Sequence, residues 1–123
     1  MERFNGTNKR AIGNHYEQVA AEFLRQRGYE IIEQNYFCKK GEIDIVAKEG
    51  EYVVFVEVKY RKDKKHGYGM EAVTKGKQKR IKQAALFYMM EHRLSMDQPI
   101  RFDVISIDGE EVSLLPNAFS YYG

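Results

Sequence analysis

The stretch 41–61, GEIDIVAKEGEYVVFVEVKYR, constrains the fold more than any other part of the chain. Two runs rich in Val and Ile flank Glu49-Gly50, and glycine beside a polar residue between such runs is a hairpin signal. A hairpin with Glu49-Gly50 at its tip puts Lys48 opposite Glu51, Asp44 opposite Phe55 and Glu42 opposite Glu57. Side chains alternate along a strand, so Val53, Phe55, Glu57 and Lys59 share one face, and Asp44 looks the same way. Asp44 and Glu57 become diagonal neighbours, roughly 7–8 Å apart at the backbone. The second strand is apolar enough to be buried, yet it ends on Glu57 and Lys59. Two carboxylates in such a place repel each other and lose hydration, a heavy cost unless something compensates them. One lysine neutralises one of them. A divalent cation neutralises both, and Mg²⁺ favours one or two carboxylates with water and phosphate oxygens. The residues alone leave two readings open: a Lys59–Asp44 salt bridge with Glu57 at the sheet edge, or a metal site. Glu42 falls on the same face and is a reserve ligand.

The rest of the chain supplies partners for this hairpin. A helix is expected over 10–27, where Tyr16, Val19, Ala20, Phe23 and Leu24 form one buried stripe and Gly28 caps the end. Glu17 lies at the border of that stripe, able to reach inward. A strand is expected over 29–37, the hairpin strands over 42–47 and 52–60, a second helix over 74–94, and last strands over 100–107 and 112–115. Residues 61–73 lack periodicity and read as a basic loop. The order α-β-β-β-α-β-β implies an α/β protein, a mixed sheet flanked by helices, with the crossover through the second helix allowing a parallel pair. Residues 1–9 are expected as a flexible basic arm, 10–119 as a single domain and 120–123 as a tail. Arg101 and Asp103 share a strand face as a structural pair. The aromatics with recognisable spacing, Tyr16, Phe23, Phe55 and Tyr88, sit at core positions, and no interleaved stacking platform for single strands is evident.

Charge is unevenly placed. Between Lys59 and Lys82 there are ten Lys/Arg against Asp63 and Glu71, a balance of +8 within a chain whose net charge is +2. Such asymmetry is the footprint of a polyanion partner. The second helix opens with Lys75, Lys77, Lys79 and Arg80, although basic residues oppose the helix dipole there. Lys75, Lys79 and Lys82 make one stripe, with Ile81, Ala84, Ala85 and Tyr88 facing the sheet, and Lys77 and Gln78 beside the inward side. Phosphate contacts are expected from Arg61, Lys62, Lys64 and Lys65 of the loop and from Lys75, Lys77, Gln78, Lys79 and Lys82. No segment approaches the ~18 apolar residues of a membrane span, and the N-terminal MERFNGTNKR lacks the apolar core of a secretory signal. Cys38 has no partner for an internal disulfide and reads as a packing residue. His15, His66 and His92 have no metal-ligand spacing. A cytoplasmic protein is expected.

Several motifs occur together in a recognisable order. They are Glu17 ahead of Ala20-Ala21-x-Phe23-Leu24, Gly28-Tyr29 followed by Asn35, Gly41-Glu42-Ile43-Asp44, and Phe55-Val56-Glu57-Val58-Lys59-x-Arg61. Lys75…Arg80-Ile81, Arg101-Phe102-Asp103 and Asn117-Ala118-Phe119 complete the set. Across about residues 10–119 the chain resembles the small bacterial YraN family, within the PD-(D/E)xK nuclease superfamily that includes restriction endonucleases and archaeal Holliday-junction resolvases. Tyr16 departs from the Gly usual before Glu17. The resemblance implies a restriction-endonuclease-like core and a metal-dependent endonuclease that hydrolyses DNA phosphodiester bonds, with branched or structured DNA as substrate. It implies Asp44 and Glu57 as ligands of Mg²⁺ (or Mn²⁺), the Val58 carbonyl as a further ligand, Glu17 completing the site and Lys59 orienting or deprotonating the attacking water. A resolvase-like role implies a homodimer, for which Leu86, Phe87 and Met90 lie off the main helical face. The alternative is a non-catalytic nucleic-acid-binding or scaffold protein that keeps the nuclease fold.

Overall fold

The computed structural model describes residues 6–61 and 73–121, with side chains from residue 13 onward. Seven elements follow in the expected order: α1 (Gly6–Gln26), β1 (Glu30–Cys38), β2 (Gly41–Glu49), β3 (Tyr52–Arg61), α2 (Lys75–Glu91), β4 (Ile100–Asp108) and β5 (Glu111–Phe119). The strands form one sheet in the order β1-β2-β3-β4-β5. β3 and β4 run parallel, joined by the α2 crossover, and every other pair is antiparallel.

Central β3 is buried on both faces from Val53 through Val56, which explains why it reads as a continuous apolar run rather than an alternation. On one face Ala20, Ala21 and Leu24 of α1 pack on Ile45, Val54, Val56 and Ile105. On the other Ile81, Ala84, Ala85 and Tyr88 of α2 pack on Val46, Val53, Phe55 and Phe102. The helix stripes read from spacing are therefore the faces that close the core.

The differences from the sequence reading lie at ends and in register. α1 begins at Gly6, inside the stretch expected as an arm. α2 stops at Glu91 because Arg93 turns left-handed, with Leu94 N–H donating to Met89 O and Arg93 N–H to Met90 O, the paired bonds of a Schellman end. β5 continues past Pro116 because the β4–β5 register shifts between Phe102 and Val104, and a strand at the sheet edge tolerates a missing N–H. In the β2–β3 hairpin Glu49 pairs with Tyr52 and Val46, not Asp44, pairs with Phe55. The loop is Gly50-Glu51, with positive φ at Gly50 alone, the pattern of a type II′ turn with glycine first. The shift is two residues, so the side chains of the paired stretch from Ile45 to Glu49 keep their faces.

Candidate metal centre

The β2–β3 pairing ends at Ile45–Val56. Beyond it the Val58 N–H donates to Asp44 Oδ2 at 2.8 Å, a carboxylate taking the place of a ladder carbonyl. The side-chain alternation of β2 breaks at the same point. Ile45 and Ala47 pack on the α1 side, while Ile43 packs with the α2-side cluster. Asp44 sits at that break, with Glu17 of α1 beside it and Lys77 of α2 on its neighbour Glu57.

From α1 comes Glu17. Its neighbour Tyr16 stacks on Tyr60 of β3, ring centroids 4.3 Å apart, which seats the helix against the strand carrying Lys59. Carboxylate oxygens of Glu17, Glu42 and Asp44 all lie within 4.8 Å of one another. From the other side, Lys77 of α2 places Nζ 3.3 Å from Glu57 Oε2. Lys59 follows Glu57 on the same strand face, facing Ser106 across the parallel pair. The Ser106 hydroxyl and Glu17 Oε1 are buried and have no hydrogen-bond partner among the described residues.

Electrostatics record the crowding. Burial raises the Asp44 carboxyl to about 8, helped by the charges of Glu57, Glu17 and Glu42 and opposed by the Val58 N–H. Glu57 is also raised by burial; Lys77 and a hydrogen bond with Asp44 pull it back, and Glu42 pushes it up. Glu17 is raised by burial and by Glu42 and Glu57, against a hydrogen bond with Asn35. Burial thus favours the neutral form of these carboxyls. The ligand set is all oxygen, which suits a hard cation. Adjacent ligands of an octahedral Mg²⁺ stand about 3 Å apart, so the three carboxylates would have to draw closer to hold one ion.

A profile of the uncharacterised protein family UPF0102 matches residues 16–107. The chain belongs to this family. UPF0102 proteins similar to it include one from Lachnoclostridium phytofermentans, 47% identical over 116 residues, covering 94% of this chain and 98% of that one. One from Caldicellulosiruptor saccharolyticus is 42% identical over 118 residues (91% and 99%). A Legionella pneumophila protein is 43% identical over 109 residues (87% and 92%).

In this UPF0102 member Asp44, Glu57 and Glu17 come together, joined by Glu42. Val58 contributes the N–H that orients Asp44, while its side chain packs on the α1 side. Sequence reasoning gave Asn35 a place in a motif but no role at the site. It sits on edge strand β1 at φ 57, an unusual backbone for a non-glycine residue, and it hydrogen-bonds Glu17. Lys75, Lys79 and Lys82 line one groove of about 430 Å³ along α2, as their stripe implied, and Gln78, expected beside the inward side with Lys77, lines it too. Arg61 Nε lies 3.7 Å from Asp108 Oδ1. Lys62, Lys64 and Lys65 lie outside the described residues. Arg101 and Asp103 form a structural pair towards the β2–β3 turn. Asp103 accepts from Arg101 Nε and Nη2, Tyr29 Oη and Asn117 N, all at 2.8–2.9 Å. Among the described residues no helix is long and apolar enough to cross a membrane.

Proposed function

We propose that this UPF0102 chain is a divalent-metal-dependent endonuclease that hydrolyses phosphodiester bonds in DNA, branched or structured DNA being the class the nuclease resemblance favours. The observation that carries the reading is the convergence of Glu17, Glu42, Asp44 and Glu57 at the open end of β2 and β3, where burial, and for Asp44 and Glu17 the neighbouring carboxylates, raise the carboxyls of Asp44, Glu57 and Glu17. A fold kept for stability alone gains nothing from such repulsion. A bound Mg²⁺ or Mn²⁺ supplies charge for the phosphoryl oxygens and a more acidic water. The residues do the rest. Asp44 is aimed by the Val58 N–H, Glu17 is seated by the Tyr16–Tyr60 stack, and Lys59 stands one turn of the strand beyond Glu57 to orient the attacking water. The groove of Lys75, Lys79 and Lys82 offers a track for phosphates on the neighbouring helix.

A second reading, a nucleic-acid-binding protein without turnover, is favoured by one contact: Lys77 already neutralises Glu57. The two separate in a cleavage assay on duplex, flapped and four-way DNA with Mg²⁺ or Mn²⁺. Cleavage abolished by Glu57→Ala and by Lys59→Ala supports the enzyme. Equal residual cleavage in both variants assigns it to a contaminant and removes the proposal.

A further inference from the structure

The β1–β2 hairpin carries a feature outside the acidic cluster. Lys39 and Lys40 form its tip, between the paired Cys38 and Gly41. Gly41 packs so closely on α2 that a Cβ there would lie 3.1 Å from the Arg80 carbonyl oxygen. Hairpin and helix thus enclose a groove of about 360 Å³, lined by Phe37, Lys39, Lys40, Glu42, Lys77 and Arg80 among others. Phe37 is 67% exposed, so it adds little to the core. It pairs across the strands with Glu42, and side chains so paired share a face with Cβ atoms about 4.5–5.5 Å apart. Glu42 in turn reaches the acidic cluster. An exposed aromatic ring therefore adjoins the metal centre in a groove with four cationic residues.

A single exposed phenylalanine is ordinary; its place in this groove is not. A small apolar ligand gains nothing from the cations. An acidic peptide is drawn to them, but its carboxylates offer nothing to stack on the Phe37 ring. A nucleotide satisfies both halves, with a flat base for the ring and phosphates for the cations. In a duplex the bases stack on each other, so the ring selects an unpaired one.

We propose that the groove between the β1–β2 tip and α2 binds an unpaired strand of DNA, stacking a base on Phe37 and seating phosphates on Lys39, Lys40 and Arg80 beside the acidic cluster. This deepens the nuclease reading and rests on it, naming the substrate as DNA with a single-stranded flank or branch.

The test is binding of a short single-stranded oligonucleotide carrying 2-aminopurine, measured by anisotropy and base emission with the full chain in EDTA. Wild type binds and quenches the emission. Phe37→Ala weakens binding about tenfold and abolishes the quench, and Phe37→Tyr restores both. Duplex binding changes less than about twofold in Phe37→Ala. Lys39→Ala and Lys40→Ala each lower the salt slope by about 0.7. Phe37→Ala indistinguishable from wild type, or equally weakened towards duplex, overturns the groove. Thermal melts confirm that the variants fold. Because no metal is present, the two readings fail separately. Stacking on Phe37 without cleavage in the metal assay removes only the hydrolase, and cleavage with a silent Phe37 removes only the groove.

Discussion

Replacing Asp44 with Asn keeps an oxygen acceptor for the Val58 N–H and removes the charge that burial and Glu57 oppose. The wild-type carboxyl sits at about 8 instead of its ordinary 3.8. Between those values the folded state holds a proton that the unfolded state has released, so stability falls as pH rises through that window. At about 1.36 kcal/mol per pH unit the ceiling on that loss is about 6 kcal/mol above pH 8. Asp44 shares its proton with Glu57, so replacing Asp44 alone relieves part of it, about 2 kcal/mol. Asp44→Asn is therefore expected to be close to wild type in stability near pH 4 and about 2 kcal/mol more stable near pH 8.5 without metal. Urea unfolding in EDTA at the two pH values measures it, with an unchanged m-value as the check that only stability moved. A variant less stable than wild type at both pH values, or a difference that ignores pH, refutes the reasoning.

Asp103→Ala strands the Arg101 guanidinium, the Tyr29 hydroxyl and the Asn117 N–H around a site 1% exposed. Breaking a buried pair from one side costs about 3–5 kcal/mol, which a thermal melt reads as a drop of roughly 10 °C or more; a drop under 3 °C, well below about 1 kcal/mol, contradicts the network. Lys77→Met removes the cation that pulls Glu57 down, so the metal-free protein is expected to lose about 1 kcal/mol near pH 8 while its melting temperature rises more on adding Mg²⁺. A smaller Mg²⁺ response than wild type counts against Lys77 as a stand-in for the ion. Ser106→Ala removes a buried hydroxyl without a partner and is expected to be neutral or stabilising by up to about 1 kcal/mol in urea unfolding; destabilisation beyond 1 kcal/mol, the net worth of one hydrogen bond, shows that the hydroxyl has a partner in solution.

Much of the fold could be read from periodicity because each helix buries one stripe and β3 is apolar from Val53 to Val56. Strand faces survived even though the register moved, because a shift of two residues preserves the alternation. What moved it was turn chemistry: Gly50 is the first loop residue of a II′ turn, where the pattern alone allowed it to be the second. That Asp44 and Glu57 are neighbours was legible in the hairpin. The shape of the site was not, since the break in alternation at Asp44 and the left-handed backbone of Asn35 leave no periodic trace. Phe37 escaped for a related reason. It lies in an apolar edge strand, and only the packing of Gly41 on Arg80 turns its surroundings into a groove.

Calorimetric titration of Mn²⁺ into the metal-free protein, in two buffers of different ionisation enthalpy, tests the metal centre most directly. A carboxyl raised by burial to about 8, as in Asp44, must give up its proton to bind an ion. Saturable binding with proton release at pH near 7, lost in Asp44→Asn and in Glu17→Gln, is the expected result. Binding that releases no proton and survives both substitutions contradicts a metal centre at Glu17, Glu42, Asp44 and Glu57.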